Sequence, residues 1–213
     1  MDDRTRRKET IARSRTPMKC VPYQEIIQSL YKAKVVKFDK IRNRQTLTSI
    51  AKAMKSTCLA VQASPIERSR PNEVGNDMER FVLQALNGSD LKAEAPRTKA
   101  GKRKSVGYPD IRIEATRGPP IYLEVKTYNA RNRNSTQRSF FFSPTDDPKI
   151  TEDGFHLLVG FEIERDGNRF TPVAYEIVDL FDLECDLKYE FNSNNLRLYQ
   201  PERILKEGRV SKK

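Results

Sequence analysis

The sequence predicts an α/β protein: a β-sheet packed with helices, preceded by a small basic helical lobe. Three observations carry this. Residues 108–128 (YPDIRIEATRGPPIYLEVKTY) read as two strands of period two joined by a turn. Residues 72–88 read as one amphipathic helix. Phe155 to Glu164 (FHLLVGFEIE) begins almost continuously apolar, as suits a strand in the middle of a sheet covered on both faces.

In the hairpin, Ile111 and Ile113 alternate with Asp110, Arg112 and Glu114. Ile121, Leu123 and Val125 alternate with Tyr122, Glu124 and Lys126. Each arm is therefore expected to be half-buried, and Thr116 to Pro119 supplies the turn. Pairing Ile111 with Leu123 also pairs Ile113 with Ile121 and sets Asp110 directly opposite Glu124. A slip of one residue would turn one arm's apolar set to the wrong side. Directly opposed residues have Cβ atoms roughly 5 Å apart, so two carboxylates there repel unless a cation joins them. All-oxygen ligation suits Mg²⁺ or Mn²⁺. Lys126, on the same face, can hold or activate a water aimed at a phosphate.

Pro109-Asp110 followed on the next strand by Glu124-Val125-Lys126 resembles the PD-(D/E)XK nuclease motif, and within that superfamily the chain is similar to type II restriction endonucleases. The resemblance spans roughly residues 72–180 and implies a restriction-endonuclease-like mixed β-sheet flanked by helices. It implies that Asp110 and Glu124 bind one or two Mg²⁺, with Glu79 and the Val125 carbonyl as further ligands and Lys126 acting on the attacking water. It also implies a homodimer that cuts double-stranded DNA at a palindrome in a microbial cytoplasm, leaving 5′-phosphate and 3′-hydroxyl ends. A structure-specific nuclease of the same superfamily and a non-catalytic DNA-binding regulator are the alternatives.

The chain has 213 residues, which suits one catalytic domain (71–213) and a smaller N-terminal lobe (1–70) for DNA binding or dimerisation. Its apolar content of 37% is enough for a core, and no apolar run is long enough to span a membrane. No signal peptide is visible. Three scattered cysteines, Cys20, Cys58 and Cys185, lack metal spacing and fit a reducing compartment. A single histidine, His156, excludes His-rich metal centres; on its buried strand it is read as a packing or hydrogen-bonding residue. No Walker loop, CxxC pair or HExxH occurs.

The net charge is +11, and its distribution is uneven: residues 1–60 hold 15 basic and 5 acidic residues, while the remainder is nearly balanced. That asymmetry is the footprint of a polyanion partner. Residues 1–19 are expected to be a basic arm, flexible or ordered on DNA. Val21–Val36 and Thr46–Val61 are expected helices. The second faintly resembles a helix-turn-helix, with Lys55 where a turn glycine belongs. Ala63–Pro71 reads as a linker.

The next helix is expected to start at Asn72 as N-cap and end near Asn87-Gly88, with Val74, Met78, Phe81, Val82, Ala85 and Leu86 on its apolar face. Glu73 is explained by the helix dipole. Glu79 borders the apolar face and needs a partner. Gly75-x-x-x-Glu79 also resembles the superfamily's opening helix, which favours Glu79 over Glu73 as the third acid.

A first strand is expected near Leu91–Ala95, within a basic connector. After the hairpin, residues 129–138 (NARNRNSTQR) leave the second arm directly. Arg131, Asn132, Arg133, Asn134, Gln137 and Arg138 are candidates for DNA contact, since Arg suits guanine edges, Asn and Gln suit adenine, and Arg also binds phosphate. Ser139–Ser143 is an expected strand, Thr145–Asp153 a short helix or turn, and Asp166-Gly167-Asn168 a tight turn returning into Phe170–Val178. Phe181–Tyr189 and Asn195–Tyr199 are further expected strands.

Overall fold

A computed structural model describes residues 18–115, 118–188, 190 and 192–207, apart from the Asn72 side chain. Residues 1–17 of the expected 1–19 arm, Thr116 and Arg117 of the turn, and the last six residues lie outside them. Pro22–Glu184 form one compact unit, and the flanking segments form another.

In the larger unit the elements are α1 (Tyr23–Tyr31), β2 (Val35–Val36), α2 (Arg44–Ala63), β3 (Ile66–Glu67), α3 (Val74–Asn87), β4 (Lys92–Glu94), β5 (Ile111–Glu114), β6 (Ile121–Tyr128), β7 (Gly154–Asp166) and β8 (Arg169–Asp179). The flanking segments contribute β1 (Met18–Pro22) and β9 (Glu184–Leu187), which form a two-stranded sheet, and a single helical turn, α4 (Asn195–Leu198).

The main sheet runs β3-β8-β7-β6-β5-β4, with β2 alongside the start of β7. It is mixed: β6 and β7 are parallel, while β4, β5 and β6, and likewise β7, β8 and β3, are antiparallel to their neighbours. This is the helix-flanked mixed sheet the resemblance implies. The hairpin register is the expected one, Ile111 opposite Leu123 and Ile113 opposite Ile121. The tight turn between β7 and β8 is also present, with Gly167 at φ +57° and Asp166 paired with Arg169.

One face of the sheet carries the main core. Ile111, Ile113, Ile121, Leu123, Val125, Leu157, Val159 and Phe161 pack with Ile50, Met54 and Val61 of α2 and with Val74, Met78, Val82 and Leu86 of α3. The opposite face is closed by a cluster of rings: Tyr23 of α1 and Tyr122 of β6 lie against His156, and Phe140 and Phe142 pack on Tyr23 and Tyr108. β6 is consequently buried on both faces from Ile121 to Val125 rather than half-buried, because it lies inside the sheet and aromatic rings replace solvent. Gly154 starts β7 beneath this cluster; a Cβ there would lie 2.7 Å from the Tyr122 ring, so only glycine fits.

The helix expected over Thr46–Val61 is present as one uninterrupted helix, residues 44–63, with Lys55 exposed in its middle. Other expectations are corrected. No helix-turn-helix exists there, since buried Ile50, Ala53, Met54, Cys58 and Val61 hold the whole length against the core. The linker contains β3, paired to β8. The opening helix begins as a 3₁₀ turn at Pro71–Glu73 and becomes α-helical at Val74. Val21–Val36 is helical only over Tyr23–Tyr31, where Lys32 at φ 61° ends it before β2.

Ser139–Ser143 forms no ladder: Phe140 and Phe142 alternate inward as a strand would place them, but onto rings rather than a neighbouring strand. Thr145–Asp153 contains bends and no helix. Asn195–Leu198 is a helical turn rather than a strand, with the Asn194 side chain accepting from the Arg197 N–H.

α3 also buries an acid that its apolar periodicity hides. Asp77 is 5% exposed and accepts two hydrogen bonds from Arg68, at 2.6 and 2.8 Å, and one from Arg80. These ties fix the first turn of α3 to the segment after β3. The Arg68 guanidinium holds the Asp77 carboxyl below its ordinary range, against the effect of burial. A carboxylate depressed on folding stabilises the fold above its unfolded pKa and loses that contribution as pH falls through the folded one. Asp77→Ala is expected to cost about 2 kcal/mol in urea unfolding at pH 7, with the difference from wild type shrinking below about pH 4.

Candidate active site

Strand pairing between β5 and β6 stops at Ile111–Leu123, and Asp110 stands one residue beyond. There a side chain replaces the ladder: the Val125 N–H donates to Asp110 Oδ2 at 2.9 Å. Backbone groups that lose a strand partner need another acceptor, and Asp110 supplies it. This bond carries Asp110 toward Glu124, the residue its register opposes.

Glu124 is 3% exposed. Its Oε1 accepts from Lys126 Nζ at 2.5 Å, while Oε2 is buried without a hydrogen-bond partner. Burial first, and then the Asp110 charge, push the Glu124 carboxyl up to about 7, although Lys126 pulls it down. Glu79, half-buried on α3, is pushed up to about 7 by burial and by Asp110, against the pull of Lys126 and Lys149. Two carboxyls raised by burial, and further by the charge of Asp110, mark a site of concentrated negative charge. Asp110, Glu124, Lys126 and Glu79 thus share one neighbourhood. Glu73, exposed in the 3₁₀ turn, acts on Arg68 instead.

Lys149 was not anticipated. It is 5% exposed, and its Nζ donates to the carbonyls of Gly107 at 2.7 Å and Pro109 at 3.0 Å. Burial lowers its pKa, while the charges of Asp110, Glu124 and Glu79 raise it. The only local signal was a lysine between Pro148 and Ile150 in an otherwise polar connection; the contacts are tertiary and have no spacing to read.

His156 occupies the packing role read for it. It is fully buried, and its Nδ1 lies 2.9 Å from the Tyr23 hydroxyl and 2.7 Å from that of Tyr108. Burial lowers its pKa to about 3, so the ring is neutral.

The residues present fit a hard divalent cation. An orphaned, buried carboxylate oxygen on Glu124 faces an acidic neighbourhood that a cation would relieve. Among the described residues no three acidic, histidine or cysteine side chains gather into a ready-made cage. A pair of carboxylates with the remaining positions left to water is how Mg²⁺ is commonly held, because it dehydrates reluctantly.

The loop that leaves β6 carries Arg131, Asn132, Arg133, Asn134, Gln137 and Arg138, all exposed. A 3₁₀ turn at Ala130–Asn132 opens it, with the Asn129 side chain accepting from the Arg131 N–H. Arg133 is tied to Glu176 of β8 at 2.5 Å, and Arg138 lies over the Phe141 ring at 4.9 Å. The loop is therefore tied to β8 at Arg133, and Arg131, Asn132, Asn134 and Gln137 are exposed on either side of that tie. No helix among the described residues is long and apolar enough to cross a membrane.

Residues 17–202 match the model of the type II restriction enzyme MjaV family. The chain is 32% identical over 208 residues, covering 90% of each chain, to the type II restriction enzyme MjaV of Methanocaldococcus jannaschii. This chain is a member of the MjaV family of type II restriction enzymes.

Proposed function

We propose that the chain is a Mg²⁺-dependent, site-specific endonuclease of PD-(D/E)XK type that hydrolyses double-stranded DNA to 5′-phosphate and 3′-hydroxyl ends. The observation that carries this is Glu124: buried, opposed to Asp110, bonded to Lys126, and with one oxygen unsatisfied. Asp110 and Glu124 would hold one or two Mg²⁺, with the Val125 carbonyl between them and Glu79 alongside. Bound there, the ion supplies Lewis-acid polarisation of the phosphoryl oxygen and charge for the departing 3′-oxygen. Lys126 orients the attacking water, favours loss of its proton through the ammonium charge, and offsets charge building on the phosphate. Asp110 keeps the β6 backbone in place by accepting from the Val125 N–H.

Arg131, Asn132, Asn134 and Gln137 reach the DNA from the braced loop, and Arg133 and Arg138 support it while contacting phosphate. The basic excess of residues 1–60 adds attraction to the duplex that carries no sequence information. A two-fold homodimer on a palindrome completes the reading, because protein symmetry then mirrors site symmetry.

Incubating plasmid DNA with the protein and Mg²⁺ is expected to give discrete bands whose sequenced ends carry 5′-phosphates. Cutting confined to branched substrates would favour a structure-specific nuclease, and no cutting would favour a DNA-binding regulator. Asp110→Asn and Glu124→Gln are expected to lower the cleavage rate at least about 10³-fold while keeping metal-independent DNA binding in gel shift; cleavage by either at the wild-type rate would refute the site.

Asn134→Ala and Gln137→Ala test readout. Loss of a base contact is expected to cost about 1–3 kcal/mol at the cognate site and little on random DNA, as measured by fluorescence anisotropy. Equal losses on both would assign these residues to the backbone.

The raised carboxyls make metal-free stability depend on pH. A carboxyl whose pKa rises on folding binds more protons in the folded state between its ordinary value and about 7. Stability in EDTA is therefore expected to fall as pH rises through that window and to stay low above it. Urea midpoints should be lower at pH 8 than at pH 5.5, Mg²⁺ should restore more at pH 8, and Glu124→Gln should flatten the slope.

A further inference from the structure

The segment Gly107-Tyr108-Pro109 delivers Asp110 to the site, yet strand pairing does not reach it: the β5–β6 ladder begins at Ile111. Three side-chain hydrogen bonds hold the segment instead. Lys149 Nζ donates to the carbonyls on either side of Tyr108, and between them the Tyr108 hydroxyl meets His156 Nδ1. Lys149 is nearly fully buried, and a buried ammonium persists only where its donors are satisfied and acidic charge lies near. The acidic charge is present, since Asp110, Glu124 and Glu79 all act on it, and two of its donors are satisfied by carbonyls. Two of its three protons are committed to backbone, which suits a clamp rather than a group that meets the phosphate.

We propose that Lys149, with Tyr108 as second anchor, is a positioning residue: by clamping the Gly107 and Pro109 carbonyls it sets Asp110 opposite Glu124, and so fixes the spacing at which that pair takes a divalent cation. This rests on reading the pair as the metal site. A lysine that merely filled space would affect unfolding and leave metal affinity alone. A clamp controls affinity through the ligand it orients, as groups supporting metal ligands generally do.

The test uses the full chain without DNA, titrated with Mn²⁺ by calorimetry, followed by single-turnover cleavage across a Mg²⁺ series and DNA binding in Ca²⁺. Lys149→Met is expected to weaken Mn²⁺ binding about tenfold or more and to raise the Mg²⁺ midpoint for cleavage by a similar factor. DNA affinity should stay within about threefold of wild type. Lys149→Arg, which keeps the charge and can bridge two carbonyls, should recover part of the loss. Tyr108→Phe, which removes the hydroxyl and with it the ties to His156 and Tyr23, should shift Mn²⁺ affinity in the same direction by less. Folded Lys149→Met with wild-type Mn²⁺ affinity overturns the proposal. If Lys149→Met does not fold, Tyr108→Phe decides, and wild-type affinity there overturns it equally. Asp110→Asn separates the two readings: retained Mn²⁺ binding in that variant overturns the metal site and the clamp together, whereas its loss alongside an unaffected Lys149→Met removes the clamp alone.

Discussion

Two carboxylates of like charge, Asp110 and Glu124, are held against each other where the β5–β6 ladder ends. Nothing about a sheet favours this. Burial and mutual repulsion both penalise the charged form, and the fold maintains the arrangement by surrounding it with stronger constraints. Asp110 is bound to the Val125 N–H, Glu124 to Lys126, and the approach to Asp110 to Lys149. The residual imbalance appears as the raised carboxyls of Glu124 and Glu79 and the unsatisfied Glu124 oxygen. Strain of this kind is tolerated where a ligand relieves it, and a site for a doubly charged ion beside a phosphodiester is such a place.

Topology links that site to the polar loop proposed to contact DNA. β6 and β7 are parallel, so the chain must return the full length of the sheet between them. The connection, residues 129–153, leaves β6 two residues after Lys126 and carries three things in order: the polar loop, the phenylalanines that close the aromatic face, and Lys149. One crossover thus supplies candidate DNA contacts, a lid on the buried face of β6, and a brace for Asp110. Arg133 bound to Glu176 ties its outer part to β8.

The legible part of the fold was the part governed by local periodicity. The hairpin register followed from two apolar stripes that can meet in only one way, and it placed Asp110 opposite Glu124. The end of α3 and the β7–β8 turn followed from helical spacing and turn chemistry. Errors arose where a partner far along the chain decides. Ser139–Ser143 has strand alternation but faces rings rather than a strand, and Ile66–Glu67, read as part of a linker, pairs with β8. β6 was read as half-buried because its second face is polar in sequence, whereas Tyr23, Tyr108 and His156 cover part of that face.

Taken alone, the amino-acid order determined which side chains could oppose one another: period two and a short turn leave a single register, so Asp110, Glu124 and Lys126 share a face. It also determined that positive charge gathers near the N-terminus. Only the tertiary structure decided how those side chains are held and how far they are withdrawn from water. The burial of Glu124, the electrostatic reach of Glu79, and the grip of Lys149 on Gly107 and Pro109 all join residues tens of positions apart. Such contacts arise from packing several elements around one core, and no spacing along the chain records them.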